Sequence, residues 1–133
     1  MTDHPRRFPL RLSRKGTTRV VLVVGPLAVK FARGERGRRC NRFEARMYKH
    51  VDARRRAMLC PVLWCTSSGR VLLMRAAQPL TEAEAAMLRA KRGFPDWDYA
   101  GPNDKDSPFE PKASDWGWLN CRLVALDYST PEL

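Results

Sequence analysis

Hydrophobic and polar positions alternate along much of this chain, and the alternation sets out its elements. Thr17 to Val24 is β-branched and apolar and predicts a strand. Gly25-Pro26 predicts a turn, and Leu27 to Ala32 a second strand, so the two make a hairpin. Period two places Leu27, Val29 and Phe31 on one face of that strand and Ala28 and Lys30 on the other. A lysine there is either an exposed strand residue or a buried cation facing a partner. Phe43, Met47 and Val51 then recur at steps of four, predicting a helix that Asn41 caps and that runs to about Arg56. Glu44 lies beside this stripe, placed to pair with Lys30 or to sit on the surface.

Two further hairpins follow. Pro61 to Thr66 and Arg70 to Met74 are strands joined by Ser67-Ser68-Gly69. Thr81-Glu82-Ala83-Glu84 is a capping box opening a helix to about Arg92, which Gly93 ends. Residues 94–111 are rich in Pro, Asp, Gly and Asn and predict a long irregular loop. The last hairpin places one strand up to Leu119, a turn at Asn120-Cys121, and a strand over Leu123 to Leu126. Asp115 and Asp127 flank its open end. Two converging carboxylates repel unless a cation sits between them, and a hard ion such as Mg²⁺ suits oxygen ligands; the plainer alternative is a solvated hairpin with two unrelated acids.

Composition narrows the class. The chain has 133 residues, 44% hydrophobic and 29% charged, which is a folding composition of single-domain size. We read residues 1–133 as one domain, with a loose basic arm over 1–12 and a first strand around Phe8 to Leu12. No apolar run approaches the length of a membrane span, and the N-terminus lacks an apolar signal core, so the expectation is a cytoplasmic protein with no membrane partner. Cys40, Cys60, Cys65 and Cys121 suit reduced thiols, and no CxxC spacing supports a zinc site.

The charge is lopsided. Residues 1–60 carry 17 Lys and Arg against 4 Asp and Glu, whereas residues 61–133 carry 8 against 10. A half so basic invites a polyanion, either nucleic acid, nucleotide phosphates or an acidic protein. Aromatic residues are not regularly interleaved with the basic ones along the sequence, so any nucleic-acid binding is expected to be non-specific.

Taken in order, these parts resemble the protein-kinase-like family, in particular the small divergent kinase-like proteins of bacteria and their phages. The resemblance covers roughly residues 14–129. It implies an α+β fold with a five-stranded antiparallel sheet, one principal helix, a short helix and a metal-binding hairpin. In Leu27-Ala28-Val29-Lys30 it makes Lys30 the lysine on the nucleotide phosphates, and in Asn41 to Tyr48 it makes Glu44 the glutamate that fixes that lysine. Ser13 to Thr18, with Gly16, would cover the phosphates, and Met74 to Ala77 would form the adenine hinge, with Met74 and Ala76 as contacts. Glu110-Pro111-Lys112-Ala113-Ser114-Asp115 keeps the catalytic-loop spacing, with Glu110 as base, Lys112 on phosphate and Asp115 on metal. Arg122 to Ser129 resembles the family's second metal motif, with Asp127 as ligand.

The departures are specific. Only Gly16 stands in the candidate phosphate loop, Glu110 and Asp115 replace Asp and Asn, Ser129 replaces Gly, and the helical C-terminal lobe has no counterpart. The resemblance therefore implies one of two functions. The first is an ATP- and Mg²⁺-dependent protein kinase acting on a host protein or on itself. The second is an inactive kinase-like module that engages a host protein or nucleic acid through its basic face. A small-molecule kinase of the antibiotic-kinase type is a weaker third, since the helical lobe that holds such substrates is missing.

Overall fold

The computed structural model describes residues 10–15, 18–95, 97 and 112–128. Over these the chain is α+β, with two antiparallel sheets and few helices. In chain order come β1 (Leu10–Lys15), β2 (Arg19–Val24), β3 (Leu27–Ala32), α1 (Gly34–His50) and α2 (Ala53–Arg56). They are followed by β4 (Val62–Cys65), β5 (Val71–Arg75), β6 (Gln78–Pro79), α3 (Glu82–Ala90), β7 (Trp116–Leu119) and β8 (Arg122–Ala125). A 3-10 turn over Ala113–Asp115 leads into β7. The larger sheet has the order β1-β2-β3-β5-β4, and the smaller β6-β7-β8.

The turns account for the pairings. Gly25, at φ 57°, lets β2 return as β3 with Val24 opposite Leu27, and this register sets Val21 opposite Lys30 and Arg19 opposite Ala32. Asn120 and Cys121 both take positive φ, 49° and 66°, as the tight turn between β7 and β8 requires. Thr81 accepts from the Glu84 backbone while the Glu84 side chain accepts from Thr81, so the expected capping box opens α3. Burial then selects the inner face of the large sheet. Arg19, Val21, Ala28, Lys30, Leu72 and Met74 are buried, whereas Phe31, on the opposite face, is exposed.

Four expectations are corrected. The helix over 41–56 is two helices: α1 begins at Gly34 and ends at His50, and Asp52 caps the separate α2 through the Arg55 N–H at 2.8 Å. The basic segment Arg33 to Arg39, read as a loop, lies largely within the first turns of α1. Gly37 is the reason the helix fits so early, because a Cβ there would stand 2.1 Å from the Thr18 carbonyl oxygen. Asn41 is thus no cap but an interior residue, wholly buried. Finally, the first strand expected around Phe8 to Leu12 is found as β1 from Leu10, but it runs on to Lys15, because six consecutive residues pair with β2. Leu10 to Leu12 are thus not part of a loose arm, and Ser13 to Lys15 of the expected phosphate loop lie in the strand. The two-residue β6, which pairs with β7, was not foreseen: Pro79 masks it as a strand.

The core lies where the large sheet, α3 and the small sheet meet. Leu59, Cys60, Leu72, Met74, Trp116, Val124, Ala125 and Tyr128 form its most buried part. The small sheet is tied to the rest through backbone: Cys60 N–H donates to the Ala125 carbonyl at 2.9 Å and Ala125 N–H to that of Met58 at 2.8 Å. Leu72 is fully buried at the centre of this packing. Leu72→Ala is expected to cost about 2–5 kcal/mol, the range for a large-to-small change in a core that cannot collapse. Urea unfolding measures it, and a loss below about 1 kcal/mol would show that the two sheets do not share one core.

Candidate functional site: a buried ion network between the sheet, the helix and the C-terminal hairpin

Glu44 is the hub. Helix α1 carries it inward, fully buried, against the face of β2 and β3 that presents Arg19 and Lys30. Its Oε1 accepts from Arg19 Nη1 and, at 2.9 Å, from Lys30 Nζ. Its Oε2 accepts from the Tyr128 backbone N–H at 2.8 Å and from Arg19 Nη2 at 3.3 Å. A carboxylate offers about four lone-pair sites, so all of Glu44's acceptor capacity is used. Such saturation is what makes a buried carboxylate tolerable.

The two cations are equally engaged. Lys30 Nζ also donates to the Leu126 carbonyl at 2.6 Å, and its side chain is only 3% exposed. Arg19 bridges the hub to the C-terminal hairpin, donating through Nη2 to Asp127 Oδ1 at 2.9 Å and through Nη1 to Asn41 Oδ1 at 3.2 Å. Burial works against its charge, but Glu44 and Asp127 outweigh that and raise its pKa above the ordinary arginine value. Asn41 completes the frame, donating to the carbonyls of Lys30 at 3.1 Å and Gly69 at 2.8 Å.

The residues singled out in the sequence meet differing fates. Lys30, Glu44 and Asp127 come together in this network. Asp115, buried, stands next to it through backbone: its carbonyl accepts from the Leu126 N–H at 2.7 Å. Lys112 is exposed at the start of the 3-10 turn. Met74 is buried in the core, and the Ala76 backbone N–H is bonded to the Pro26 carbonyl at 2.8 Å. Gly16 and Glu110 lie outside the described residues. The alternative of a surface Glu44 and an exposed Lys30 is excluded by their burial.

Arg19 is the residue that sequence reasoning missed, although a signal existed. With Gly25-Pro26 as the turn, Val21 falls opposite Lys30, and Arg19, two residues earlier, must share the lysine's face.

A divalent ion needs carboxylate oxygens with lone pairs to spare. Glu44 has none left, and Asp127 already faces a guanidinium, which would repel the ion. No three His, Cys, Asp or Glu side chains gather as a metal site among the described residues. Glu44 thus has no acceptor to offer Mg²⁺, and an ion at Asp127 would stand beside the Arg19 guanidinium.

No family model, no curated protein and no solved structure matches the chain. No described helix is long and apolar enough to cross a membrane.

Removing one partner of a buried ion pair strands the other, at about 3–5 kcal/mol. Arg19→Met is expected to destabilise the protein by that order in urea unfolding, with a smaller effect in a Glu44→Gln background because the two residues share one interaction. Additive losses would show that the contact contributes nothing as a pair.

A second prediction concerns alkaline pH. Burial pushes the Cys60 thiol up from about 9 to about 11, and burial likewise holds the Tyr128 hydroxyl, which donates to the Cys60 carbonyl at 2.9 Å, well above its usual range. Both groups are neutral in the fold and ionise more readily once unfolded. Their contribution is therefore complete below pH 9 and lost as pH rises through about 11. The melting temperature should fall across that interval, and exposed Cys121 should react with a thiol reagent at pH 8 long before Cys60. A melting temperature flat to pH 11 would contradict this.

Proposed function

We propose that the chain is a kinase-like module that keeps the family's internal frame without its chemistry, and that it works by binding a polyanionic partner through the outer face of α1. The observation carrying this reading is Arg19. Its guanidinium neutralises Glu44 and Asp127 from within, and Asp127 is one of the two acids, with Asp115, between which a metal ion was expected. Among the described contacts two cations, Arg19 and Lys30, balance two carboxylates, Glu44 and Asp127. Lys30 has two of its three donors committed and almost no exposed surface, and the N–H of Ala76, an expected hinge contact, is taken by the Pro26 carbonyl. The order β1-β2-β3-β5-β4, with a helix after β3 carrying the lysine's partner, supports the kinase-like framework.

The binding half of the proposal rests on where the remaining charge lies. Residues 33–56 hold ten Lys and Arg against three Asp and Glu. Arg36, Arg39, Arg46, Lys49 and His50 are exposed on α1, and Arg33 and Arg54 just beyond its ends. Glu35 is the one acid on the outer side of α1, and it already pairs with Arg38 and Arg42. Such a surface attracts polyanions by counterion release and holds them with strong salt dependence.

A second reading, phosphoryl transfer from ATP with Mg²⁺, is favoured by the 2.9 Å contact of Lys30 with Glu44 and by Asp127 on the same network. Two measurements separate the readings. ATP, with or without Mg²⁺, is expected to leave the melting temperature unchanged, and labelled ATP to give no transfer that Asp127→Ala abolishes. A polyanionic probe is expected to bind with a steep salt dependence that Arg39→Glu/Arg46→Glu weakens at least tenfold, while the charge-matched Arg70→Glu/Arg122→Glu control changes it little. A magnesium-dependent ATP shift would favour the second reading. Equal effects of the two double variants would remove the α1 face.

A further inference from the structure

The edge of the large sheet has a feature the charge alone does not explain. Strand β4 ends the sheet order, and its pairing with β5 shifts register between Val62 and Trp64. An irregularity of this kind breaks strict alternation, so neighbouring side chains no longer face opposite ways. Here both Leu63 and Trp64 are turned to solvent, 49% and 56% exposed. They form one wall of an open groove of about 510 Å³, and Tyr48 and Lys49 of α1 with Arg56 of α2 form the other.

The groove's chemistry is narrow. Among the described residues two aromatic rings and two cations line it, and no carboxylate does. Arg56 is fixed there: its guanidinium stands 5.8 Å over the Tyr48 ring and donates to the carbonyls of Tyr48, Lys49 and Val51 at 2.8–2.9 Å. Those bonds occupy donors but leave its positive charge at the groove's end. Arg46, next to the lining residue Ala45 and three residues before Lys49 on α1, is exposed. The aromatic and basic residues that the sequence does not interleave are thus interleaved in space.

We propose that this groove binds single-stranded nucleic acid, with a base stacked on the Trp64 indole and the flanking phosphates neutralised by Lys49 and Arg46. The proposal rests on the polyanion reading above and names the partner's class. An acidic protein would satisfy the cations and leave the indole face without a matching π-surface. A duplex keeps its bases stacked inside and cannot use that face either. A single strand offers a flat base and a phosphate at every step, the combination that aromatic platforms in basic grooves capture.

The test uses the full chain and four labelled probes: oligo-dT and oligo-rU of about 12 nucleotides, within the usual range of site sizes, a duplex of equal length, and a polyglutamate peptide of equal charge. Anisotropy at several salt concentrations is expected to show the single strands bound at least tenfold more tightly than duplex or peptide, with quenching of tryptophan fluorescence. Trp64→Ala should weaken single-strand binding about tenfold without changing the salt slope, the loss expected of one stacked base, and Trp64→Phe should recover most of it. Lys49→Ala should lower the slope by about 0.7, one phosphate contact on a single strand. Because Trp64 is exposed, its variants should melt with the wild type, which a thermal scan checks. Equal affinity for single strand and duplex with Trp64→Ala inert, or tighter binding of the peptide, overturns this proposal and leaves the polyanion reading standing. Salt-insensitive or absent binding of all four probes overturns both.

Discussion

Everything in this molecule is hung from one carboxylate. Glu44 receives a strand-borne lysine, a strand-borne arginine and a backbone N–H from the C-terminal segment, so three parts of the chain distant in sequence converge on two oxygen atoms. Desolvating an anion is costly, and the only arrangement that offsets the cost is one in which every acceptor site is filled. That makes the interaction a constraint as much as a stabiliser. If α1 rotates, or β2 slips by one residue, Arg19 or Glu44 leaves the network and strands a charge in the interior. A hydrophobic core of similar volume would tolerate such slips more readily. The network thus gives the sheet, the helix and the hairpin a single mutual arrangement.

The packing of α1 follows from the same constraint. An amphipathic helix usually buries an apolar stripe. This one buries Gly37, Cys40, Asn41 and Glu44, a face of small and polar residues, while Met47 and Val51 at its C-terminal end meet the edge of the apolar core. Gly37 allows the close approach that the polar contacts demand, and Asn41 ties helix to sheet by bonding two backbone carbonyls at once. The helix is fixed by directional bonds near its start and by area burial near its end.

Much of this was legible beforehand, for reasons that differ by element. The three tight hairpins carry turn residues whose backbone preferences are strong and local, so Gly25-Pro26, Ser67-Ser68-Gly69 and Asn120-Cys121 marked them correctly. The capping box at Thr81 and Glu84 is equally local. The start of α1 was not legible, because Arg33 to Arg39 reads as a charged, glycine-containing loop unless one knows that β2 and β3 press against it. Lys30 was visible as a candidate since it interrupts an apolar strand, and Glu44 since it lies beside the helix's apolar stripe within reach of that lysine. Arg19 was not, since a cation at a strand's first residue looks like a boundary. Its role emerges only from register, a non-local property. The groove beside Trp64 was hidden for a similar reason: a shift in pairing between two strands decides which way neighbouring side chains turn, and no short-range signal announces it.

The inner and outer faces of α1 divide the chain's charge into two populations with different physics. Inside, opposite charges meet at contact distance in a medium of low polarity, where their mutual attraction is strong. Outside, cations of one sign crowd a single helix surface, where water and salt screen them and a polyanion can displace their counterions. The first population fixes geometry, and the second is the one the proposed polyanion binding draws on. Because they share one rigid helix, the interior network holds the outer cations, and the groove next to them, at fixed spacing. Preorganisation of that kind lowers the ordering cost of binding, so under the proposed function the interior cluster would contribute to recognition without touching the partner.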